Sequence, residues 1–388
     1  MRVVSTAARV PFAERGGVLR GLVDLATGRY PAFLFGGPLG RILPVFHLHE
    51  TTPASLEPKL RHLAEHGYRT VTSEALERFV RAGVHPGPRA VVLCFDDAHA
   101  SLWTVAAPLL RRYGYQAITF AIPGRIAEAA SVRPTIDDSE PPPTAPPGDF
   151  VTWPELRSLA AGSVIDVQCH GHGHSKIFCR ATAHGFVTPG GPPWHPLDWP
   201  LLFREAPGVY LQPDHLGAPL YAQRSRLSDA FRYVDDGGAH HRCMAHVRRN
   251  GGFAFFQRRG WEAELRTLAA QGGSGVFETE AERRAAIYDD LDRAQAVLRD
   301  RLRTNAVRHL CFPWEVAGAV AYGAARALGF RTAFADRLFG LRAVRAGDDP
   351  WRLMRLNGKF IPSLPRRRKL AVAGWVRGSA ADRAGQRD

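Results

Sequence analysis

Short apolar runs alternate with amphipathic segments from Pro44 onward, and this alternation predicts parallel strands covered by helices. The first strand is predicted over 43–48, and the continuous apolar runs at 91–95 and 117–122 predict two strands buried on both faces. Leu56, Leu60 and Leu63 recur at helical spacing behind Ser55, which we expect to cap that helix. A second helix is predicted from Ser73 to about residue 83.

The later part of the chain repeats the same alternation around one irregular stretch. Capping boxes at Thr152 and Thr279 predict two helix starts, and further strands are predicted over 164–169, 307–312 and 330–334, with helices over 105–113 and 316–328. Six prolines between residues 134 and 147 predict a surface excursion. From about residue 177 to 277 no period is sustained, which predicts an insertion or a small lid subdomain.

Composition bounds the class of protein. A chain of 388 residues with 45% hydrophobic residues can fill a core, so it is neither disordered nor fibrous. Its net charge of +14 predicts an anionic partner. Residues 1–43 carry six of the arginines and residues 346–388 carry eight more with two lysines, so the basic excess lies mainly at the ends and does not identify the reaction. No helix-turn-helix, zinc-finger or RNA-binding signature accompanies the charge, so we expect no nucleic-acid partner.

Cysteine usage and hydropathy predict the compartment. The five cysteines form no CxxC pair, which is typical of a reducing compartment. No apolar leader or membrane-crossing run is seen, so we expect a soluble, cytoplasmic protein without a transmembrane segment.

Two polar clusters follow predicted strands. Asp96 and Asp97 end the apolar run at 91–95, and His170 and His174 follow the strand predicted at 164–169. A carboxylate with two imidazoles is a common open ligand set for a divalent metal, and Gly171 lets the backbone between the histidines turn tightly. Taken singly, an Asp pair is more often a turn and a histidine cluster is often surface composition. Their joint position at the carboxyl ends of strands favours a site.

Six segments in their order and spacing resemble the polysaccharide deacetylases of carbohydrate esterase family four. They are Pro44-Val-Phe-His-Leu-His49, Ala90-Val-Val-Leu-Cys-Phe-Asp-Asp97, Thr119-Phe-Ala-Ile-Pro-Gly124, Val151-Thr-Trp-Pro-Glu-Leu156, Asp166-Val-Gln-Cys-His-Gly-His-Gly-His174 and His309-Leu-Cys-Phe-Pro-Trp314. The resemblance implies an α/β fold, a distorted (β/α) barrel, here with a long inserted lid region. It also implies a metal-dependent hydrolase that removes an N-acetyl group from an amino sugar or glycan.

The resemblance also implies site residues. By position Asp96 is the general base, and Asp97, His170 and His174 bind a divalent metal, with zinc as the default. Pro313 and Trp314 are expected to contact the substrate, although a buried core Trp314 is an equally good reading. A metal of this kind activates water and polarises the amide carbonyl.

The general acid is expected at the first strand. One subgroup of the family carries a Tyr-His pair there, and Leu48-His49 matches its position with Leu in place of Tyr. His49 is therefore our predicted acid. His47 and His172 are alternatives for the histidine roles, and a hydrogen-bonded structural histidine is the rival reading of His49.

Three departures from the family pattern affect the site. Ala98 follows the Asp pair where the family usually has Gly, and Glu315 replaces the Gly of the Arg-x-Pro-x-Gly motif, seen here as Cys311-Phe-Pro-Trp-Glu315. The arginine that usually tunes the base is missing from that motif. The means by which the base is activated is therefore left open.

The sequence predicts a catalytic domain over 41–345 with an insertion at about 177–278, an N-terminal extension over 1–40, and a basic, partly disordered tail over 346–388. The expected partner is an N-acetylated sugar or glycan, with phosphate or lipid linkage and peripheral membrane contact left open. Arginine pairs at 248–249 and 258–259 in the insertion suggest recognition of an anionic group. The alternatives are a non-catalytic glycan- or anionic-surface-binding barrel and a deformylase or other amide hydrolase.

Overall fold

Strands and helices alternate in a computed structural model that describes residues 30–138, 149–192, 195–202, 209–235, 237–271, 275–335 and 342–367. Most of the predicted N-terminal extension, most of the proline-rich linker and the part of the predicted tail after residue 367 lie outside these ranges. Among the described residues, no helix is both long and apolar enough to cross a bilayer.

Thirteen strands and eight α-helices are named here in chain order for the described residues. The strands are β1 (Val45–Leu48), β2 (Arg69–Thr70), β3 (Ala90–Asp97), β4 (Ala117–Ala121), β5 (Ile165–Cys169), β6 (Lys176–Phe186), β7 (Pro200–Leu201), β8 (Pro219–Ser225), β9 (Tyr233–Val234), β10 (Val276–Phe277), β11 (His309–Cys311), β12 (Thr332–Phe334) and β13 (Leu356–Asn357). The helices are α1 (Pro53–Glu65), α2 (Ser73–Ala82), α3 (Ala107–Tyr113), α4 (Trp153–Ala161), α5 (Gly238–Arg249), α6 (Trp261–Ala270), α7 (Glu280–Leu302) and α8 (Ala319–Ala327).

One parallel sheet forms the barrel. Its strands are ordered β12, β11, β5, β4, β3, β1 and β13, and the short β2 adds to β3. The segment just before β13 also reaches the opposite edge, because Leu353 forms a parallel bridge with Phe334 of β12. Backbone hydrogen bonds from Leu353 N to Ala333 O and from Ala335 N to Leu353 O support that bridge. The predicted distorted α/β barrel is confirmed.

Alternation along the strands divides the core into two layers. In β3 the side chains of Val92 and Cys94 face the barrel interior, in a cluster with Phe120 and Phe334. The intervening Val91, Leu93 and Phe95 pack instead in the layer that contains the helices. Because successive side chains of a strand point to opposite faces, Asp96 follows Val92 and Cys94 toward the interior, at the carboxyl end of the strand.

Helix starts largely follow the sequence signals. The capping boxes at Thr152 and Thr279 are confirmed, and α2 begins at Ser73 as predicted. The prediction for α1 was wrong by one turn, because Thr52 is its N-cap and Ser55 is the third helical residue that completes the capping box. Leu56, Leu60 and Leu63 form its buried face.

The stretch without sustained periodicity is folded. A small sheet pairs β6 with β7 and β8, and β9 pairs with β10. Helices α5 and α6 form a hairpin whose core joins Phe186 of β6 to Cys243, Val247, Phe255 and Leu265. Mixed short strands and helices explain why no single period runs through this part of the sequence.

The predicted boundary at residue 345 was misplaced. Leu356 of β13 pairs with Phe46 of β1, and Ile361 and Leu364 lie in the main core. Residues 350–364 therefore complete the barrel. The sequence signal is weak here because β13 has only two residues.

Candidate active site

A pocket of about 380 Å³ opens at the carboxyl ends of the barrel strands. It contains every predicted catalytic and metal-binding residue, together with side chains from the insertion and from the segment near β13. The lining residues are His47, His49, Glu50, Asp96, Asp97, His99, His170, His174, His195, Leu197, Asp198, Trp314, Glu315 and Arg355.

Asp97, His170 and His174 converge in this pocket. Asp97 Oδ1 lies 3.3 Å from His170 Nε2 and 3.6 Å from His174 Nε2, and all three side chains are buried. Oδ1 has no hydrogen-bond partner among the described residues. A buried carboxylate oxygen between two imidazole nitrogens is costly unless a cation or proton joins them. The donor set therefore fits a divalent metal of the kind that binds nitrogen and oxygen ligands.

The two histidines are held differently. His170 Nδ1 contacts the backbone oxygen of Cys311 at 2.6 Å, which leaves Nε2 directed at Asp97. Burial lowers the pKa of His174 to about 3, so its imidazole is neutral and can act as a ligand. Between them, the partly buried Asp290 of α7 accepts hydrogen bonds from the backbone N–H groups of His172 and Gly173. This contact fixes the turn that brings the two rings together.

Left-handed backbone explains one departure from the family pattern. Ala98 has a φ of 57°, and Asp97 before it has a φ of 68°. Glycine adopts this region without steric cost, whereas other residues adopt it with strain. Ala98 keeps the turn that a glycine would make, and the turn directs Asp97 toward the histidines.

The expectation that the base lacks an arginine was wrong. Arg355 donates two hydrogen bonds to Asp96, from Nη1 to Oδ1 and from Nη2 to Oδ2, each of 2.7 Å. Its Nε donates to Glu315 Oε1 at 2.8 Å, and both contacts are buried. Cys311 occupies the arginine position of the Arg-x-Pro-x-Gly motif, and Arg355 lies near it. Glu315, at the last position of the same motif, accepts a hydrogen bond from Arg355.

Arg355 sets the ionisation of Asp96. Burial alone would raise the pKa of the Asp96 carboxyl, but the charge and the two hydrogen bonds of Arg355 outweigh burial and hold the pKa well below its usual range. Asp96 is consequently a carboxylate at neutral pH, free of the protonation that burial would otherwise favour.

His49 lies on the same side of the pocket as Asp96. Its Nε2 is 3.8 Å from Asp96 Oδ2, and its side chain is 51% exposed, so a substrate at the pocket mouth can reach it. His47 is buried beneath, and burial lowers its pKa to about 4. A histidine that stays neutral at pH 7 is a poor proton donor, which favours His49 over His47 as the acid.

Trp314 lines the pocket, whereas Pro313 is buried and is not a lining residue. The Trp314 ring lies 4.1 Å from the His174 ring, and its Nε1 donates to Asp198 Oδ1 at 2.8 Å. Lys176 forms an ion pair with the same Asp198 oxygen at 3.1 Å. The insertion therefore supplies part of the wall. It holds Trp314 by a contact that the sequence did not reveal.

His99 is a site residue that sequence reasoning missed. It is buried, and its Nε2 lies 3.2 Å from Asp97 Oδ2, the oxygen turned away from His170 and His174. The ring stacks on Phe150 at 5.3 Å, and Nδ1 lies 3.7 Å from Glu50 Oε1. The one feature of the sequence that could have indicated this role is a histidine two residues after the Asp pair. A histidine so close to the pair is equally well explained as part of a turn.

Replacing His99 with phenylalanine is expected to weaken metal binding about 10-fold to 100-fold, because residues that orient a ligand typically contribute that much. Phenylalanine keeps the stacking on Phe150 but removes the hydrogen bond to Asp97. The measurement is competition for zinc with a chromogenic chelator. The control is His195→Phe, which removes a pocket histidine that has no contact with Asp97. Equal zinc affinity in His99→Phe and the wild type would show that His99 does not orient the carboxylate.

Comparison with known proteins supports the resemblance. A family model described as polysaccharide deacetylase matches residues 83–185, which include the Asp pair and both histidines. The chain is also 25% identical over 136 residues to the poly-beta-1,6-N-acetyl-D-glucosamine N-deacetylase of Escherichia coli (strain K12). That alignment covers 35% of this chain and 20% of the relative, so the chain matches only about a fifth of the relative's length.

Solved deacetylase structures are similar at low identity. The deacetylase domain of BpsB from Bordetella bronchiseptica aligns with 83% of this chain and 96% of its own, at 16% identity and a TM-score of 0.48. A de-N-acetylase from Aggregatibacter actinomycetemcomitans aligns with 76% of this chain and 87% of its own, at 16% identity and a TM-score of 0.46. Residues 83–185, which contain the Asp pair and both histidines, are thus similar to polysaccharide deacetylases.

Proposed function

We propose that this protein is a metal-dependent hydrolase that removes the N-acetyl group from an amino sugar or glycan. One observation carries the proposal: a three-residue ligand set and an arginine-clamped carboxylate line the same pocket. A protein that only binds glycan has no need for an ionised carboxylate held beside a metal site. The substrate named for the Escherichia coli relative, a polymer of N-acetylglucosamine, supports the amino-sugar class.

Asp97, His170 and His174 would hold the metal, for which we propose zinc because its tetrahedral sites favour imidazole and carboxylate ligands. Once bound, a divalent cation lowers the pKa of water toward about 7 and polarises the amide carbonyl. The remaining functions belong to the chain's own side chains.

Asp96 is proposed as the general base. It is ionised through its contact with Arg355, so it can accept a proton as water attacks the acetyl carbon. Because both Asp96 oxygens already accept from Arg355, the carboxylate is held in one orientation and needs no rearrangement to take the proton. The new bond joins the water oxygen to the acetyl carbon.

His49 is proposed as the general acid. Breaking the carbon–nitrogen bond leaves an amine that must gain a proton, and His49 lines the same pocket as the metal-binding residues. Its Nε2 lies 3.8 Å from Asp96 Oδ2, beside the proposed base. The products are acetate and the free amino sugar. The half-buried Trp314 offers a ring face for sugar packing, and we propose it as a substrate contact.

The test is metal analysis of the purified protein together with acetate release from a panel of N-acetylated sugars. We expect about one divalent metal per chain, held by Asp97, His170 and His174, and acetate release from at least one amino sugar. Release of formate instead from N-formylated sugars would favour the deformylase alternative. Metal-free protein, or acetate release that survives complete chelation, would refute the metal-dependent reaction.

The matched variant for the acid is His49→Ala. We expect it to retain metal, since His49 is not in the ligand set, and to lose acetate release about 100-fold or more. A substrate with a better leaving group than a sugar amine should restore much of the rate, because it needs less protonation. Wild-type turnover in His49→Ala would return the acid role to water or to His47.

We propose a cytoplasmic location. The support is that all five cysteines are free thiols and four of them are buried. Burial raises the pKa of Cys94, Cys169 and Cys311, so these thiols stay protonated and unreactive. For the substrate, we include amino sugars that are linked to a phosphate or a lipid.

A further inference from the structure

We propose that the end of the α5–α6 hairpin, residues 248–259, is a docking surface for a bilayer that contains anionic lipids. This segment, the basic tip, connects the two helices through a short 3-10 turn (Gly252–Gln257). Its function is separate from that of the pocket, because none of its residues lines the pocket.

The basic tip is well packed, so its exposed side chains are held in place. Phe255 is fully buried and contacts the rings of Phe256 and His246, and Phe256 packs against Trp261 at 5.1 Å. Below them lies the hairpin core of Cys243, Val247 and Leu265. The tip thus presents a fixed surface rather than a loose loop.

Phe253 projects from this surface. It is 65% exposed, whereas Phe255 two residues later is buried. A large aromatic side chain left in water at the end of a hairpin is unfavourable for an isolated protein and favourable at the boundary of a bilayer, where its apolar body enters the headgroup region.

Two arginines precede and two follow the 3-10 turn that contains Phe253. Arg248 and Arg249 end α5, Arg258 and Arg259 follow the 3-10 turn, and all four are exposed. From residue 238 to residue 261 the sequence contains no carboxylate. Clustered arginines beside an apolar anchor are typical of surfaces that bind anionic lipids.

Internal pairing leaves most of this charge available. Arg258 is partly neutralised by Glu264, which lies 3.4 Å away, and the same Glu264 pairs with His246. Across the part of the chain that the structure describes, Arg248, Arg249 and Arg259 have no ion pair. Three cations therefore face outward beside Phe253.

The form of the tip favours a bilayer over a nucleic acid. Nucleic-acid surfaces combine a basic groove with several aromatic side chains for stacking. In the basic tip one aromatic residue, Phe253, is exposed, and the neighbouring Phe255 and Phe256 pack against each other. One exposed apolar anchor among arginines fits an anionic lipid surface better than it fits a row of stacked bases.

Docking through the tip leaves the pocket accessible. Strand β6 begins at Lys176, which pairs with Asp198 at the pocket wall, and ends at Phe186 in the hairpin core. Ser225 and Pro219 of β8 pair with these two ends of β6, and their six residue steps of about 3.3 Å separate the ends by roughly 20 Å. A membrane contact at the tip would hold the pocket near a surface without covering it.

The experiment measures binding of the full chain to two kinds of vesicle by sedimentation, one of phosphatidylcholine and one that also contains phosphatidylglycerol. We expect binding to the second kind that weakens with added salt. Arg248→Gln with Arg249→Gln should lower the partition coefficient about 10-fold to 30-fold, at roughly fivefold for each arginine. Phe253→Ser should lower it about threefold or more, an effect that salt does not remove.

The control for charge is Arg78→Gln with Arg111→Gln, which removes two exposed arginines from barrel helices. This variant has the same net charge as the tip variant and includes the same basic tail, so it should bind nearly as the wild type does. Metal content and the thermal unfolding midpoint should be unchanged in all three variants, since none of the substituted side chains lines the pocket or is buried.

Four outcomes would overturn the proposal. Equal loss in the tip and control variants would show that net charge alone attracts the vesicles. Equal binding to both kinds of vesicle would show that anionic lipid is not recognised. Displacement of the protein by inorganic phosphate at matched ionic strength, or tighter tip-dependent binding to RNA than to vesicles, would assign the tip to a soluble anion or a nucleic acid.

Discussion

Asp96→Asn is expected to lower acetate release about a thousandfold, in the middle of the range that general bases contribute. Asparagine has the same shape but cannot accept the proton of the attacking water. The metal-binding residues Asp97, His170 and His174 are untouched, so bound metal should stay at the wild-type level. The measurement is the initial rate of acetate release at saturating metal, with metal content determined on the same sample.

Asp149→Asn is a suitable control, because this exposed aspartate lies outside the pocket and should retain the wild-type rate. If Asp96→Asn released acetate as fast as the wild type with metal bound, Asp96 would not be the base. Loss of activity accompanied by loss of metal would leave the base untested, so a third variant, Asp97→Asn, separates the two roles. It should lose metal, whereas Asp96→Asn should not.

Arg355→Met is expected to lower the free energy of unfolding by about 3–5 kcal/mol, the range seen when one member of a buried ion pair is removed. Asp96 and Glu315, both buried, would then lose the guanidinium from which they accept hydrogen bonds. The pKa of Asp96 should rise toward and above its usual value, because burial would no longer be opposed. Chemical denaturation at pH 7 measures the change in stability.

A second substitution tests the cause. Adding Asp96→Asn to Arg355→Met removes one of the stranded charges and should recover part of the lost stability, which a double-mutant cycle would show as coupling. Arg352→Met alters an exposed arginine three residues away and should change the stability by less than about 1 kcal/mol. Additive effects of Arg355→Met and Asp96→Asn would mean that the two side chains do not stabilise each other.

The pH dependence gives a further reading of the same pair. A carboxyl whose pKa is lower in the folded than in the unfolded state stabilises the fold above its unfolded pKa, and this contribution is lost as pH falls toward the folded pKa. The Asp96–Arg355 pair should therefore contribute fully at pH 7 and fade only below about pH 4, the usual value for an aspartate.

The sequence predicted the parts of the site that follow strands. Asp96 and Asp97 end an apolar run, and His170 and His174 follow the strand predicted at 164–169. The carboxyl ends of parallel strands meet at one mouth of a barrel. The same reasoning could not reach Arg355, which lies 259 residues from Asp96 and just before a strand of two residues. Nothing in the local pattern distinguishes it from the other arginines of the basic tail.

The contributions of the insertion were hidden for a related reason. Asp198 reaches Trp314 across 116 residues, and Lys176 joins it only because β6 starts at the pocket wall. Local hydrophobic patterns predict elements but not which turns approach each other. His99 was close in sequence, yet its role depends on the left-handed turn at Asp97 and Ala98, which alternation in a strand does not predict.

The bridge between Leu353 and β12 couples closure of the barrel to completion of the contact between Arg355 and Asp96. The segment that joins the two edges of the sheet is the same one that carries Arg355, so the barrel closes and the carboxylate acquires its counterion in one step. Contacts between residues this far apart in sequence form late in folding, after local elements are in place. Before residue 355 is synthesised, the chain already contains Asp96, Asp97, His170 and His174. It does not yet contain Arg355, which keeps the proposed base ionised. The proposed active site is therefore complete only after the segment next to β13 has joined the barrel.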